Sequence, residues 1–466
     1  MARPPRAAFV TLAAGAVLAA LVAGAGGAQA VRGPSFRTSD STAAPVVLSP
    51  AQTEGVAPTA AGVQKALAPA LADPSLGKHR GAYVYDASRG KAVYSTGTAR
   101  PFVPASTMKL LTTASALATL GPDRWFTTKT VIASKGQIVL VGGGDPLLTI
   151  KRQTDPLDFP RRATLQDLAA STARALRAQG VRSVSLGYDA TLFTGPAVNP
   201  KWVPTYISEG IAARTSALWV DEGRAVRGNA KRVTSPALAA AAGFATQLRS
   251  AGVKVTALKA MEAPPAATNL AQVRSAPLGD IVEYVNLHSD NDGAEVLLRQ
   301  VGLATKNGGS YAAGLKGVRS TLTSFGLDLS NARLEDGSGL SRTNQVPLGL
   351  LAGVLRVAAS GSRPELKHLL TGLPVAAFTG SLGDRFSSPG TGAGTGLVRA
   401  KTGTLTSVHS LAGLVRDRTG TLLVFAVATD SAPQDKALAA RAALDRAAAA
   451  LAGCGCGRAA RVGRYH

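Results

Sequence analysis

The chain has 466 residues and carries 51 Lys and Arg against 28 Asp and Glu, a formal net charge of +23. Hydrophobic residues make up 45% and charged residues 17%, which is typical of a globular protein and excludes a disordered one. The length predicts two or three domains. Basic residues are scattered and aromatic residues make up only 5%, so we do not expect a nucleic-acid partner.

The first 30 residues have the layout of a secretory signal peptide. Arg3 and Arg6 precede an Ala/Leu/Val run, and "AGGAQA" ends at Ala30 with small residues at the −3 and −1 positions. We therefore expect an exported, extracytoplasmic protein with peripheral or no membrane contact. An uncleaved membrane anchor is the alternative. For an exported basic chain, anionic cell-wall polymers are the expected partners, and a solvated surface without a partner is the other interpretation.

Only two cysteines are present, Cys454 and Cys456 in "GCGCGR". An exported chain without cysteines in its body is not expected to depend on disulfides. The pair could be a metal-site fragment, but two thiolates alone rarely form one. Residues 453–466 are therefore predicted to be a tail without a catalytic role.

In chain order, a Ser/Thr/Pro/Ala-rich linker (31–60) leads to a helix and to a hairpin at 81–97. An apolar helix begins near Pro104. Residues 126–275 alternate strand-like and helical stretches, and "ARALRAQGVRSVSL" is echoed by "ATQLRSAGVKVTAL" as helix, glycine cap and strand. This segment is predicted to be an α/β module inserted into a domain formed by residues 61–125 and 276–452. Strands at both ends of that domain, with a final helix, predict one antiparallel sheet.

Ser106-x-x-Lys109 stands at the start of the apolar helix, where residues i and i+3 share a face. A serine hydroxyl needs an adjacent base to become a nucleophile. Lysine can be that base when burial or a neighbouring cation lowers its pKa. Taken alone, the pattern is more typical of a capping serine and a surface lysine.

Two further motifs are equally ambiguous when considered separately. Ser289-Asp290-Asn291 lies at a polar kink between two helical runs, where Ser289 could relay a proton and Asn291 could orient a carbonyl or Lys109. The alternative is an Asx-type helix cap. Lys401-Thr402-Gly403-Thr404 opens a strand that an extended peptide could pair with, or it is an ordinary entry into a hairpin.

Together and in this order, the three motifs are the set found in penicillin-binding proteins and class A β-lactamases. With "VGGGDPLL", "DGSGLSRTN" and "AKTGTLTSVHSLAG", the chain after the linker resembles class C low-molecular-weight penicillin-binding proteins, the D-alanyl-D-alanine carboxypeptidase/endopeptidase family. The resemblance implies an α+β fold: a penicillin-binding/β-lactamase-like transpeptidase domain, an antiparallel sheet flanked by helices, with an inserted α/β module. The insertion, about 150 residues, is short for that family.

The resemblance also implies roles for individual residues. Ser106 would be the acyl-ester nucleophile and Lys109 its general base, with Ser289, Asn291 and Lys401 completing the catalytic group. Substrate would bind along Thr402, Gly403 and Thr404, and Lys401 would add a cation that keeps Lys109 uncharged. The backbone N–H groups of Ser106 and Thr404 would form the oxyanion hole. Peptidoglycan peptides would be substrates and β-lactams inhibitors, with no cofactor or metal.

The sequence lacks motifs that several rival enzyme classes need. A class A β-lactamase needs a glutamate in E-x-x-L-N, and none here begins that pattern. An esterase triad and a zinc peptidase are disfavoured because G-x-S-x-G and H-E-x-x-H are absent. His288 and His409 stand beside motifs, but we expect them to be structural. A catalytically silent envelope-binding protein remains as the non-enzymatic alternative.

Overall fold

The computed structural model describes residues 56–155 and 157–457. The predicted signal peptide and most of the predicted linker lie outside these residues. The strands are β1 Arg80–Asp86, β2 Lys91–Thr96, β3 Thr127–Ser134, β4 Gln137–Val141, β5 Ser183–Asp189, β6 Lys254–Ala260, β7 Thr268–Arg274, β8 Arg399–Leu405, β9 Val408–Arg416 and β10 Leu422–Thr429. The helices are α1 Ala60–Leu71, α2 Lys109–Leu120, α3 Leu165–Ala178, α4 Pro236–Ser250, α5 Leu278–His288, α6 Asn291–Ala304, α7 Tyr311–Ser324, α8 Leu348–Ala359, α9 Lys367–Thr371 and α10 Ala437–Ala452.

The first sheet has the order β2-β1-β10-β9-β8, and each neighbouring pair is antiparallel. Strand β1 near the start of the chain pairs with β10 near its end, which confirms the prediction of one antiparallel sheet built from both ends. Strand β10 is apolar on both faces. Alternate residues such as Val424 pack in a core with α2 and α8, and those between them, such as Phe425, pack in a core with α1 and α10. The sheet is therefore covered by helices on both sides.

The second sheet has the order β6-β5-β4-β3-β7, with β4, β5 and β6 parallel and β3 and β7 antiparallel to their neighbours. Helices α3 and α4 pack on it around a separate apolar core. The sequence echo is confirmed, because α3 and α4 each end before a glycine with positive φ (Gly180, +70°; Gly252, +83°) and lead into parallel strands. All five strands lie within the predicted insertion, whose domain limits remain a prediction.

Helix α2 lies at the centre of the larger core, in contact with α5, α6, α7 and α8. Nine of its twelve residues are buried, from Lys109 to Leu117. Its first residue, Lys109, is fully buried, so its side chain is shielded from water. Among the described residues, none of the helices combines the length and apolar character needed to cross a bilayer.

The last described residues of the predicted tail are packed against the end of the predicted linker. Pro58 forms a β-bridge with Gly457, and Thr59 donates its backbone N–H to the Cys456 carbonyl at 2.9 Å. Cys454 and Cys456 are joined in a disulfide, and Cys456 is buried beside α1 and α10. The expectation that the chain does not depend on disulfides, and the predicted tail without a catalytic role from residue 453, stay predictions.

Candidate active site

Ser106 and Lys109 meet at the start of α2. A 3₁₀ turn, Ala105–Met108, leads directly into the helix, so the two side chains project on one side as their spacing predicts. Lys109 Nζ lies 3.0 Å from Ser106 Oγ. Lys109 is fully buried, whereas Ser106 is partly exposed. The pair therefore has the geometry of a nucleophile open to solvent beside a shielded amine.

The backbone before Ser106 is held in an unusual conformation. Ala105 has a φ of +47°, in the left-handed region that a residue with a side chain rarely adopts. Two glycines of the other motifs enclose this turn. A Cβ on Gly339 would collide with the Ala105 carbonyl, and one on Gly403 would collide with the Pro104 carbonyl. The surrounding packing thus stabilises the strained turn that presents Ser106.

Ser289 and Asn291 lie at the junction of α5 and α6. Ser289 ends α5 in the left-handed conformation, with φ +56°, and Asp290 caps α6 by accepting the backbone N–H groups of Asp292 and Gly293. The kink predicted from the sequence is present. The Asx-type cap is therefore present between Ser289 and Asn291, and the functional roles of these two residues stay predictions. Asn291 Oδ1 accepts from Lys109 Nζ at 2.7 Å.

Lys401, Thr402, Gly403 and Thr404 lie on β8, an edge strand of the first sheet. The Ala400 N–H donates to the Pro374 carbonyl, away from β9. Because the direction of backbone groups alternates along a strand, the N–H groups of Thr402 and Thr404 face the same open side. Lys401 Nζ donates to Ser289 Oγ at 2.9 Å. The three motifs are therefore joined by two hydrogen bonds, Lys109–Asn291 and Lys401–Ser289.

Lys109 Nζ has three neighbours: Ser106 Oγ, Asn291 Oδ1 and the Ser338 carbonyl oxygen at 2.8 Å. An uncharged amine has two N–H donors and one lone pair. The two fixed acceptors, Asn291 and Ser338, take both donors, so the lone pair is left for the Ser106 hydroxyl. The geometry fits a neutral lysine that accepts a proton from Ser106.

The electrostatic surroundings favour that uncharged state in part. Burial lowers the pKa of Lys109 to about 8, even though four nearby carboxylates act to raise it. These carboxylates belong to Asp290, Asp292, Glu295 and Asp336. Burial, and then the charge on Lys109, lower the pKa of Lys401 well below its ordinary value. Repulsion between two ammonium groups acts on both of them, and the expectation that Lys401 keeps Lys109 uncharged stays a prediction.

Sequence reasoning missed two backbone groups that hold the base. The Ser338 carbonyl lies in "DGSGLSRTN", a stretch noted only as part of the resemblance. The Ile211 carbonyl, from the inserted segment, accepts from Asn291 Nδ2 at 2.9 Å. No side-chain pattern could have identified either, because backbone oxygens are present at every position. Ser381, whose Oγ lies 2.8 Å from Thr402 Oγ1, was also missed.

The two histidines beside the motifs differ in their surroundings. His409 is buried, neither ring nitrogen has a hydrogen-bond partner among the described residues, and burial lowers its pKa to about 4. His288 is exposed, and burial of part of its ring lowers its pKa. Neither is hydrogen-bonded to the Ser106–Lys109 pair in the described part of the chain.

One group of carboxylates in the described ranges is close enough to share a metal ion. Oxygen atoms of Glu222, Asp290 and Asp292 lie within 4.8 Å of one another. Arg232 pairs with Asp292 at 2.6 Å and Arg224 with Glu222 at 3.0 Å. Arginine side chains therefore already pair with two of the three carboxylates in this group.

The sequence profile of the D-Ala-D-Ala carboxypeptidase 3 (S13) family matches residues 63–231 and 225–451. The chain belongs to this family. The prediction of a class C low-molecular-weight penicillin-binding protein is thereby confirmed. As a member of the S13 family, the protein is an enzyme, a serine-type D-Ala-D-Ala carboxypeptidase.

Similar proteins agree with this assignment. A carboxypeptidase of Mycobacterium tuberculosis is 36% identical over 413 residues, covering 87% of each chain. The carboxypeptidase DacB of Mycolicibacterium smegmatis is 36% identical over 430 residues, 91% of this chain and 90% of that one. Penicillin-binding protein 4 of Haemophilus influenzae superposes with a TM-score of 0.67 at 21% identity, covering 82% of this S13 chain and 97% of its own. At that identity the last comparison supports the fold, which confirms the predicted fold class.

Proposed function

We propose that Ser106 attacks the carbonyl carbon of the terminal D-Ala–D-Ala bond in a peptidoglycan stem peptide, and that Lys109 takes the serine proton. The observation that carries this proposal is the arrangement around Lys109 Nζ. Asn291 and Ser338 accept its two N–H groups, and Ser106 lies 3.0 Å away. Proton transfer then needs no movement of either side chain.

In the acylation step, the bond from Ser106 Oγ to the carbonyl carbon forms as the proton moves to Lys109. The oxyanion of the tetrahedral intermediate is bound by the N–H groups of Ser106 and Thr404. The C–N bond then breaks, and the departing nitrogen takes a proton from Lys109 by way of Ser289, so that D-alanine leaves as an amine. Water attacks the acyl-Ser106 ester in the second step and releases the shortened peptide.

Substrate binding is assigned to the open edge of β8. The N–H groups of Thr402 and Thr404 face that side and can pair with an extended peptide. The C-terminal carboxylate is assigned to the Thr402 hydroxyl and Lys401, a donor and a cation that lie side by side on β8. Gly403 would let the backbone of an extended peptide come close to β8. The close contact with the Pro104 carbonyl already requires glycine at this position.

We propose that β-lactams acylate the same serine and act as inhibitors, because they present a strained amide and a carboxylate to the same groups. The enzyme is placed outside the cytoplasm, where stem peptides are exposed, and its net charge of +23 favours contact with anionic cell-wall polymers. Cleavage of cross-linked peptides is a second activity of the same site, because an internal D-Ala bond differs only in its leaving group.

The test is product analysis with a defined pentapeptide and a cross-linked dimer. We expect release of D-alanine from the pentapeptide by the wild type and none by Ser106→Ala, which should unfold at nearly the same temperature. D-Alanine release by Ser106→Ala would contradict the assignment of the nucleophile. An inactive wild type that still binds peptidoglycan would favour the silent binding protein instead.

A further inference from the structure

We propose that Glu295 is a positioning residue for the catalytic base: its carboxylate accepts the backbone N–H of Ser338, whose carbonyl in turn directs the Lys109 lone pair toward Ser106. This inference rests on the proposed function and adds a component that none of the three motifs contains. Glu295 lies on α6, one turn after Asn291. It does not touch Ser106 or substrate and acts only through the loop.

The hydrogen bonds of Glu295 are directed to two neighbouring residues of one loop, Gly337 and Ser338. Its Oε1 accepts from the Ser338 N–H at 2.7 Å and from the Gly337 N–H at 3.1 Å, and its Oε2 also accepts from Gly337 at 3.1 Å. Glu295 is fully buried. A short charge-assisted hydrogen bond to the N–H of Ser338 fixes the residue whose own carbonyl then contacts Lys109.

Other side chains also bind this loop. Thr112 Oγ1 donates to the Gly337 carbonyl at 2.8 Å, and Asp336 accepts the N–H groups of Gly339 and Ser341. The Gly339 N–H shares a peptide unit with the Ser338 carbonyl, so Asp336 holds that carbonyl from one side. Glu295 binds the N–H groups of Gly337 and Ser338 on the other side, and the two carboxylates together set the position of the Ser338 carbonyl oxygen.

Position 295 needs an acceptor oxygen for the N–H groups of Gly337 and Ser338, not a particular charge. Burial raises the pKa of Glu295 to about 8, while hydrogen bonds from Ser338 and Gly337 favour the carboxylate. In either protonation state Oε1 can accept both N–H groups. The amide oxygen of glutamine can do the same, whereas leucine of similar size has no acceptor.

Glu295→Gln and Glu295→Leu form a matched pair for the test. We expect Glu295→Leu to lower both kcat for D-alanine release and the rate of acylation by a labelled penicillin on the order of 100-fold, because Lys109 Nζ shifts relative to Ser106 Oγ. KM should be unchanged, because β8, to which substrate binding is assigned, stays intact. Glu295→Gln should retain both rates within roughly tenfold of wild type. If Glu295→Leu does not fold, Glu295→Asp takes its place, because retraction of the oxygens by one methylene should also lower kcat at unchanged KM.

A buried carboxylate far from the base serves as the control. Asp445 pairs with Arg385, both nearly buried, and Asp445→Asn should lower the unfolding temperature but leave acylation per folded molecule unchanged. The inference is overturned if Glu295→Leu or Glu295→Asp acylates like wild type, if KM rises while kcat stays constant, or if Asp445→Asn loses acylation equally. A wild type that is not labelled at all would reject the proposed function itself, so the two failures are distinguishable.

Discussion

Asn291 presents its side-chain oxygen to Lys109 at 2.7 Å because its nitrogen is bound to the Ile211 carbonyl. Ile211 belongs to the predicted insertion, and Lys109 begins the central helix. The orientation of the amide is thus set by a backbone oxygen from outside the three motifs. A residue of the predicted insertion is therefore hydrogen-bonded to a residue of the candidate site.

Replacing Asn291 by Asp should slow acylation at neutral pH. The new carboxylate would stand close to Lys109 Nζ and stabilise the ammonium, so the pKa of Lys109 should rise and the acidic limb of the rate profile should move upward by at least about one pH unit. The measurement is the rate of acylation by a labelled penicillin between pH 5 and 10. A profile that coincides with that of wild type would contradict the contact.

The wild-type enzyme should lose activity as the pH falls. Burial lowers the pKa of Lys109 to about 8, and the protonated form cannot accept the proton of Ser106. The rate should therefore rise about tenfold per pH unit up to roughly pH 8 and then level off. Stopped-flow acylation with a chromogenic β-lactam checks this. A rate that is constant from pH 5 to 9 would show that another group is the base.

Thr402→Val should weaken the binding of peptides that end in a carboxylate. Valine has nearly the same shape but lacks the hydroxyl, which lies 2.8 Å from Ser381 Oγ. We expect KM for a pentapeptide to rise about tenfold with a smaller change in kcat. The matched comparison is the same peptide with a C-terminal amide, whose weaker binding should not change further. An equal loss for both peptides would contradict the assignment of Thr402 to the carboxylate.

Gly403→Ala should destabilise the fold as well as the site. The added methyl would collide with the Ser410 hydroxyl and the Pro104 carbonyl, so the free energy of unfolding should fall by about 1–3 kcal/mol. Thermal and denaturant unfolding measure the change. Gly392→Ala is the control, because no atom lies within 4 Å of its Cβ and its effect should be under about 0.5 kcal/mol. Equal stability of the two variants would contradict the packing explanation.

The sequence predicted features that depend on local chain geometry. The spacing of Ser106 and Lys109 on one helix, the kink at Ser289 and the strand at Lys401 follow from periodicity and capping, and each is present. The terminal sheet was predictable because its strands alternate and have apolar runs. The limits of the inserted module and the catalytic roles of the site residues stay predictions.

Features that depend on distant contacts could not be predicted. The burial of Glu295 and its bonds to Ser338 arise only when α6 meets a loop more than forty residues later. The burial that lowers the pKa of Lys109 and of Lys401 likewise depends on elements distant in the chain that pack around each amine. The packing of Cys456 against Thr59 joins the two ends of the described chain, and neither segment carries a pattern that specifies the other.

Mass spectrometry of the penicillin adduct tests directly whether Ser106 is the nucleophile and Lys109 its base. Wild type, Ser106→Ala and Lys109→Met would be incubated with the same β-lactam, digested and mapped, with folding checked by circular dichroism. The account predicts one adduct, on the peptide containing Ser106, that is absent in Ser106→Ala and forms at least about 100-fold more slowly in Lys109→Met. An adduct on another residue, or undiminished labelling of a folded Lys109→Met, would contradict it.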